Sequence, residues 1–225
     1  MRHSSSIPKL VLIETEKILE SLEGAIDEAV AVVPDTNIYS PPLHFEKTTN
    51  GCQPTAQESV LAIMAREADS NDYRFNPRPI VRAYSEYLRG LIELLSSPKV
   101  ITTDAVLVEL QAKASYFLSF EHIQKRRSHF SVHLGTAQRS VASMIRCWGA
   151  AINQYVSRQN PYPTGKKDGD SSIRKAVSDM SAGQSILVLS NDWRLSRSYA
   201  PGTDVRQIGL DYQNNSVKQL HPVIS

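Results

Sequence analysis

Ile18, Leu22, Ala25 or Ile26, and Ala29 recur three or four residues apart between Pro8 and Ala31, with charged residues between them. That period predicts an amphipathic opening helix. Ala31-Val32-Val33 breaks the period with a short β-branched run that ends at Pro34-Asp35, the mark of a strand. From 40 to 78 the chain carries Pro41, Pro42, Gly51, Pro54 and Pro77 around one helical stretch near Glu58 to Ala68, and reads as a long connection. Tyr84, Tyr87, Leu88, Leu91, Leu94 and Leu95 mark a second helix stopped before Pro98, and Val100-Ile101-Thr102 reads as a second strand. Asp104 is placed as the N-cap of a helix running through Val108 and Glu109.

Val141, Ile145, Trp148, Ile152 and Tyr155 then draw one apolar stripe along a further helix, whose other side carries Arg139 and Arg146. A loop from Pro161 to Gly169 leads to a short helix expected to begin after Asp170, with Ile173, Val177 and Met180 inward and Gly183 at its C-terminus. Ser185 to Leu189 is a third strand ending at Ser190-Asn191-Asp192; a short helix near Arg194 to Tyr199 and a strand at Val205 to Ile208 follow. Short, wholly apolar strands alternating with helices predict an α/β fold, its mostly parallel sheet covered on both faces. In such sheets ligands bind beyond the carboxyl ends of the strands.

A length of 225 residues suits one domain, read as an N-terminal helical extension (1–31), a core, the long connection (40–78) and a basic helical insertion (122–167). At 41% hydrophobic and 21% charged residues, the composition excludes a largely disordered chain. Cys52 and Cys147 are too few for a disulfide framework, which fits a reducing compartment. The first apolar run, Leu10 to Ile13, is broken by Glu14 and is too short for a signal-peptide core, and nothing approaches the roughly 20 apolar residues of a membrane span. The expected location is cytoplasmic, with no membrane partner.

The overall charge of +2 is unevenly spread: from His122 through Lys167 there is no acid, while Lys125, Arg126, Arg127, Arg139, Arg146, Arg158, Lys166 and Lys167 give eight positive charges. A basic surface of this kind collects nucleic acid through its phosphates. The alternative is internal docking against the acidic stretch Glu14 to Glu28, where Glu14, Glu16, Glu20, Glu23, Asp27 and Glu28 face Lys17 alone.

Four acids carry the candidate chemistry. Asp35 closes the first strand, Glu109 follows the second, Asp170 opens the helix that feeds the third, and Asp192 closes the third. Each alone reads as a turn, cap or surface residue; together they fall at one rim of the sheet. Clustered carboxylates repel unless a positive charge sits among them, and Mg²⁺ or Mn²⁺ prefers such oxygen ligands. His129 and His133 have the i, i+4 spacing of a metal pair, but no HExxH pattern surrounds them. Gly165-Lys166-Lys167 lacks the pattern of a P-loop, so Lys166 and Lys167 read as phosphate contacts or as plain loop charges.

Val32-Val33-Pro34-Asp35-Thr36-Asn37-Ile38, Val100 to Leu110, Asp170-Ser171-Ser172-Ile173 and Leu187-Val188-Leu189-Ser190-Asn191-Asp192 together resemble the four acidic motifs of PIN-domain nucleases. The resemblance covers the core from about Val32 to Ile208, outside the long connection and the arginine-bearing insertion. It implies a Rossmann-like three-layer α/β/α fold whose carboxylates hold Mg²⁺ or Mn²⁺ and hydrolyse a phosphodiester, most commonly in RNA. Asp35, Glu109, Asp170 and Asp192 match the metal-binding acids, and Asn37 and Ser190 match supporting positions. Asp168 also precedes the helix; the Asp-x-x-Ile spacing favours Asp170, and the choice stays open here. The implied activity is an endoribonuclease with an RNA partner touched by Arg139, Arg146, Lys166 and Lys167. A catalytically inactive binding or scaffold protein and a DNA structure-specific nuclease are the alternatives; a homo-oligomer and a protein inhibitor are left open.

Overall fold

The computed structural model describes residues 14–39, 78–127, 136–180, 184–192, 194–195, 204–211 and 214–220. The helical stretch near Glu58 to Ala68, the histidine pair, the Gly183 cap and most of the short helix at Arg194 to Tyr199 lie outside them, as does the side chain of Arg139. Within them the elements run α1 (Thr15–Glu28), β1 (Ala31–Pro34), a 3₁₀ turn (Thr36–Tyr39), α2 (Arg78–Leu94), α3 (Asp104–Arg127), α4 (Thr136–Arg158), α5 (Gly169–Met180), β2 (Ile186–Leu189), β3 (Val205–Asp211) and β4 (Ser216–Gln219).

The strands stand in the order β1-β2-β3-β4. β1 and β2 pair in parallel from Ala31↔Ile186 to Pro34↔Leu189, β2 and β3 from Ile186↔Val205 to Leu189↔Ile208, and β4 adds an antiparallel edge on β3. Every residue of β1 and β2 is buried. Successive side chains point to opposite faces, so both faces of these strands are covered, and the α/β class with a mostly parallel sheet is as the apolar runs predict.

The strand expected at Val100-Ile101-Thr102 shrinks to a single parallel bridge, Val32↔Val100. Val32 donates to Lys99 O and Ile101 to Val32 O, but the next residues change partner: Tyr162 N donates to Thr102 O and Asp104 N to Tyr162 O. The segment thus leaves the β1 edge within three residues to meet the loop before α5. β3 is longer than expected, and β4 is an addition to the expected strands, because its Ser216-Val217-Lys218-Gln219 lacks the apolar run of a buried strand.

One core unites these elements. Ile145, Trp148, Ile152 and Tyr155 of the predicted stripe on α4 are buried, as are Ile18, Leu22, Ala25 and Ile26 of α1. α3 and α4 form the most extensive helix pair. Their approach depends on Gly149, where a Cβ would lie 2.9 Å from both Ala114 O and Phe117 Cβ. α1 packs chiefly on α2 and β4, with Glu28 paired to Arg206 and Glu14 to Lys17. Among the described residues, its principal partners are not those of the basic insertion that the docking alternative required.

Candidate functional site

β1 and β2 run parallel side by side, so Asp35 and Ser190, each the residue after its strand, arrive together although 155 residues separate them in sequence. Ser190 Oγ donates to Asp35 Oδ2 at 2.6 Å, and Asn37 Nδ2 donates to the same oxygen at 2.5 Å and to Ser190 Oγ at 3.0 Å. Asn37 Oδ1 accepts Asn191 N at 2.9 Å, and Ser190 Oγ accepts Asp192 N at 3.0 Å. The two strand ends are thereby tied into one ring of hydrogen bonds. From beneath, buried Gln207 donates to the carbonyls of Ser190 and Asp192.

Glu109 enters from α3, the helix that follows the Val100 bridge. Its Oε2 accepts Thr36 Oγ1 at 2.5 Å and its Oε1 accepts Gly169 N at 2.7 Å, which joins the 3₁₀ turn to the start of α5. A side chain at 169 would place its Cβ 2.8 Å from Glu109 Oε2, so this close approach needs glycine there.

Asp104 and Asp170 read in the sequence as helix openers, yet both lie in first turns whose caps are one or two residues earlier. Thr103 Oγ1 accepts Val106 N, and Asp168 Oδ1 accepts Ser171 N at 2.8 Å, the bond pattern of N-caps. Asp104 is released to hold the loop before α5: its carboxylate accepts Thr164 Oγ1 at 2.5 Å and the amides of Thr164 and Gly165, each at 3.0 Å. Lys166 and Lys167, both exposed, follow directly on this clamped turn. Asp170 is released to face the other acids, with Arg174 Nη2 3.6 Å from its Oδ2.

The electrostatics separate the two candidates for the third acid. Burial, with the charges of Asp192, Asp168 and Glu109 against the relief of Arg174, raises Asp170 above the ordinary aspartate value. The amide and hydroxyl of Ser171 hold Asp168 below that value. Asp35 is raised, first by burial and then by the charges of Asp170 and Glu109, in spite of the Ser190 hydroxyl and the Thr36 amide. Asp35, Glu109 and Asp192 are thus linked by charge to Asp170, as is Asp168. Asp168 is occupied as a cap.

Lys113, one turn beyond Glu109 on α3, joins the site without having been among its expected residues. Its half-buried ammonium donates to Thr36 O at 3.0 Å and feels Asp35 and Glu109, while burial draws its pKa down. The i, i+4 spacing of Glu109 and Lys113 is the signal the sequence offers for it.

The donor set suits a hard divalent cation: all four acids offer oxygen, and two hold raised pKa values that a positive charge would relieve. Among the described residues, however, no three His, Cys, Asp or Glu side chains converge closely enough to hold an ion as they stand. Protein donors already hold both oxygens of Glu109 and the Oδ2 of Asp35. Arg146 is exposed on α4. A separate cavity of about 310 Å³ opens between α2 and α4 over Leu88, Met144, Trp148 and Tyr155, and none of the four acids lines it.

No helix among the described residues is long and apolar enough to cross a membrane. No family model, curated protein or solved structure matches the chain.

Proposed function

We propose that the chain is a PIN-like, metal-dependent endoribonuclease that hydrolyses RNA phosphodiester bonds with Asp35, Glu109, Asp170 and Asp192 around Mg²⁺ or Mn²⁺. The observation that carries this reading is the gathering of four acids from four distant segments at the carboxyl edge of a parallel sheet, where burial first, and the charges of neighbouring acids after it, raise Asp35 and Asp170. A bound cation would lower the pKa of a water and offset charge developing on the phosphate. The chain's own part is to fix the acids: Asn37 and Ser190 orient Asp35, and Thr36 with the Gly169 amide orients Glu109. Lys166 and Lys167 stand exposed on the clamped loop beside α5, where they can meet phosphates; Arg146, exposed on α4, and Arg139, by its place in the sequence, are the further candidates for phosphate contact.

One observation favours a second reading, a nucleic-acid-binding protein without turnover: among the described residues no three acids converge on an ion, and both oxygens of Glu109 are held by protein donors. A cleavage assay on matched RNA and single-stranded or flapped DNA, with Mg²⁺, Mn²⁺ or EDTA, separates the alternatives. Metal-dependent RNA cleavage that disappears in Asp35→Asn supports the endoribonuclease. Binding without cleavage by wild type assigns the non-catalytic reading, and faster cleavage of DNA assigns a DNA nuclease.

A further inference from the structure

We propose that Lys113 is a built-in counter-ion of the carboxylate cluster, holding Asp35 and Glu109 together in metal-free protein and weakening the entry of a divalent cation. The second half rests on the metal-site reading above; the first does not. A lysine on a helix surface ordinarily carries its ammonium outward to water. Lys113 instead turns inward, onto the carbonyl of Thr36, the residue that follows Asp35 and whose hydroxyl holds Glu109. Thr36 is gripped from one helix by two groups of opposite charge, with Asp35 alongside. Two neighbouring carboxylates in a half-buried site repel, and the Lys113 ammonium, seated 3.0 Å from the Thr36 carbonyl between them in the chain of contacts, is near enough for both charges to act on it.

A counter-ion and a mere packing residue predict different results. Removing the positive charge leaves the site one unit more negative, so a cation should bind more tightly even as the metal-free fold weakens. The test uses full-length wild type, Lys113→Met, Lys113→Arg, Glu109→Gln and Lys113→Met/Glu109→Gln, melted in EDTA, with wild type and the Lys113 variants also titrated with Mn²⁺ while free Mn²⁺ is followed by electron paramagnetic resonance. Lys113→Met should lower the melting temperature by about 5 °C in EDTA. Adding Glu109→Gln should recover most of that loss, and Lys113→Arg should stay near wild type. Folded Lys113→Met should bind Mn²⁺ about tenfold more tightly than wild type.

Additive melting shifts for Lys113→Met and Glu109→Gln overturn the counter-ion, and Mn²⁺ affinity that is unchanged or weaker in Lys113→Met overturns its effect on cation entry. If Lys113→Met does not fold, recovery of a folded protein by the added Glu109→Gln supports the proposal, and a double variant that stays unfolded overturns it. If neither wild type nor Lys113→Met takes up Mn²⁺ at millimolar concentration, the metal reading falls with the claim on cation entry, and the melting cycle still decides the counter-ion.

Discussion

Asp35 follows a wholly buried strand and is itself 6% exposed, whereas the Asp170 side chain is 44% exposed on the first turn of α5, beside a loop that ends in two exposed lysines. Asp35 is gripped by Asn37 and Ser190 and its neighbours are braced by Gln207; Asp170 meets Arg174 at a longer 3.6 Å. One flank of the site is built into the sheet and the other rides on a helix end. Position at the sheet edge is thus held by more contacts where the strands end than at the exposed helix end, which under the nuclease reading is the side a phosphate chain would meet.

The largest expected effect breaks the rigid flank. Under the nuclease reading, Asp35→Asn or Asp192→Asn should lower the cleavage rate by about 10²–10³-fold or more at saturating Mg²⁺, with the circular dichroism spectrum unchanged. Retention of wild-type rates by either variant would remove the four-acid site. Next, Asp170→Asn should slow cleavage far more than Asp168→Asn, which keeps an acceptor for the Ser171 amide and should stay near wild type in rate and stability; the reverse ranking would exchange their roles.

Ser190→Ala sharpens the contrast from the supporting side. It strips a donor from Asp35 and an acceptor from the Asp192 amide, at a cost of about 1–3 kcal/mol. A loss under about 0.5 kcal/mol in urea melts would show that the hydrogen-bond ring is not what fixes this flank.

The pH dependence has a definite sign. Asp35 holds its proton in the folded protein above the free-residue value of 3.8, so between that value and its raised native one the folded state binds more protons and stability falls as pH rises. Asp35→Asn should remove this component in denaturant midpoints measured across that window. An unchanged slope in the variant would mean that Asp35 does not carry the shift. The smallest effect lies on the exposed flank: Lys166→Ala/Lys167→Ala, and separately Arg139→Ala/Arg146→Ala, should flatten the salt dependence of log K for RNA by about one unit for each phosphate no longer neutralised. An identical slope would make these charges plain surface.

Legibility in the sequence follows the same division. β1 and β2 are readable because a strand buried on both faces must be apolar throughout, and their ends carry Asp35 and Asp192 with them. The helix starts are harder, since an aspartate near a helix N-terminus looks alike whether it caps the helix or lies in the first turn; the Ser171 and Val106 amides decide that, and no pattern shows them. Val100 looks like a strand because its apolar run cannot announce that Thr102 and Asp104 will turn to Tyr162. Lys113 escapes notice because a lysine four residues after a glutamate ordinarily signals a surface pair. Its inward turn depends on the 3₁₀ turn folding over α3.

The 155 residues between Asp35 and Ser190 also bear on when the site comes into being. Bringing two such distant points together costs about 4.5 kcal/mol of chain entropy before any contact between them forms. During synthesis, β1 leaves the ribosome long before β2 exists, and its β2 edge must wait unpaired until Ile186 to Leu189 emerges, with only the short Val100 bridge available on the other edge. Local helix pairs such as α3 and α4 can form meanwhile, because their contacts are close in sequence. The ring joining Asp35, Asn37 and Ser190 is therefore among the last features to close, and a nascent chain stopped short of β2 would hold Asp35 and Glu109 without Ser190 or Asp192.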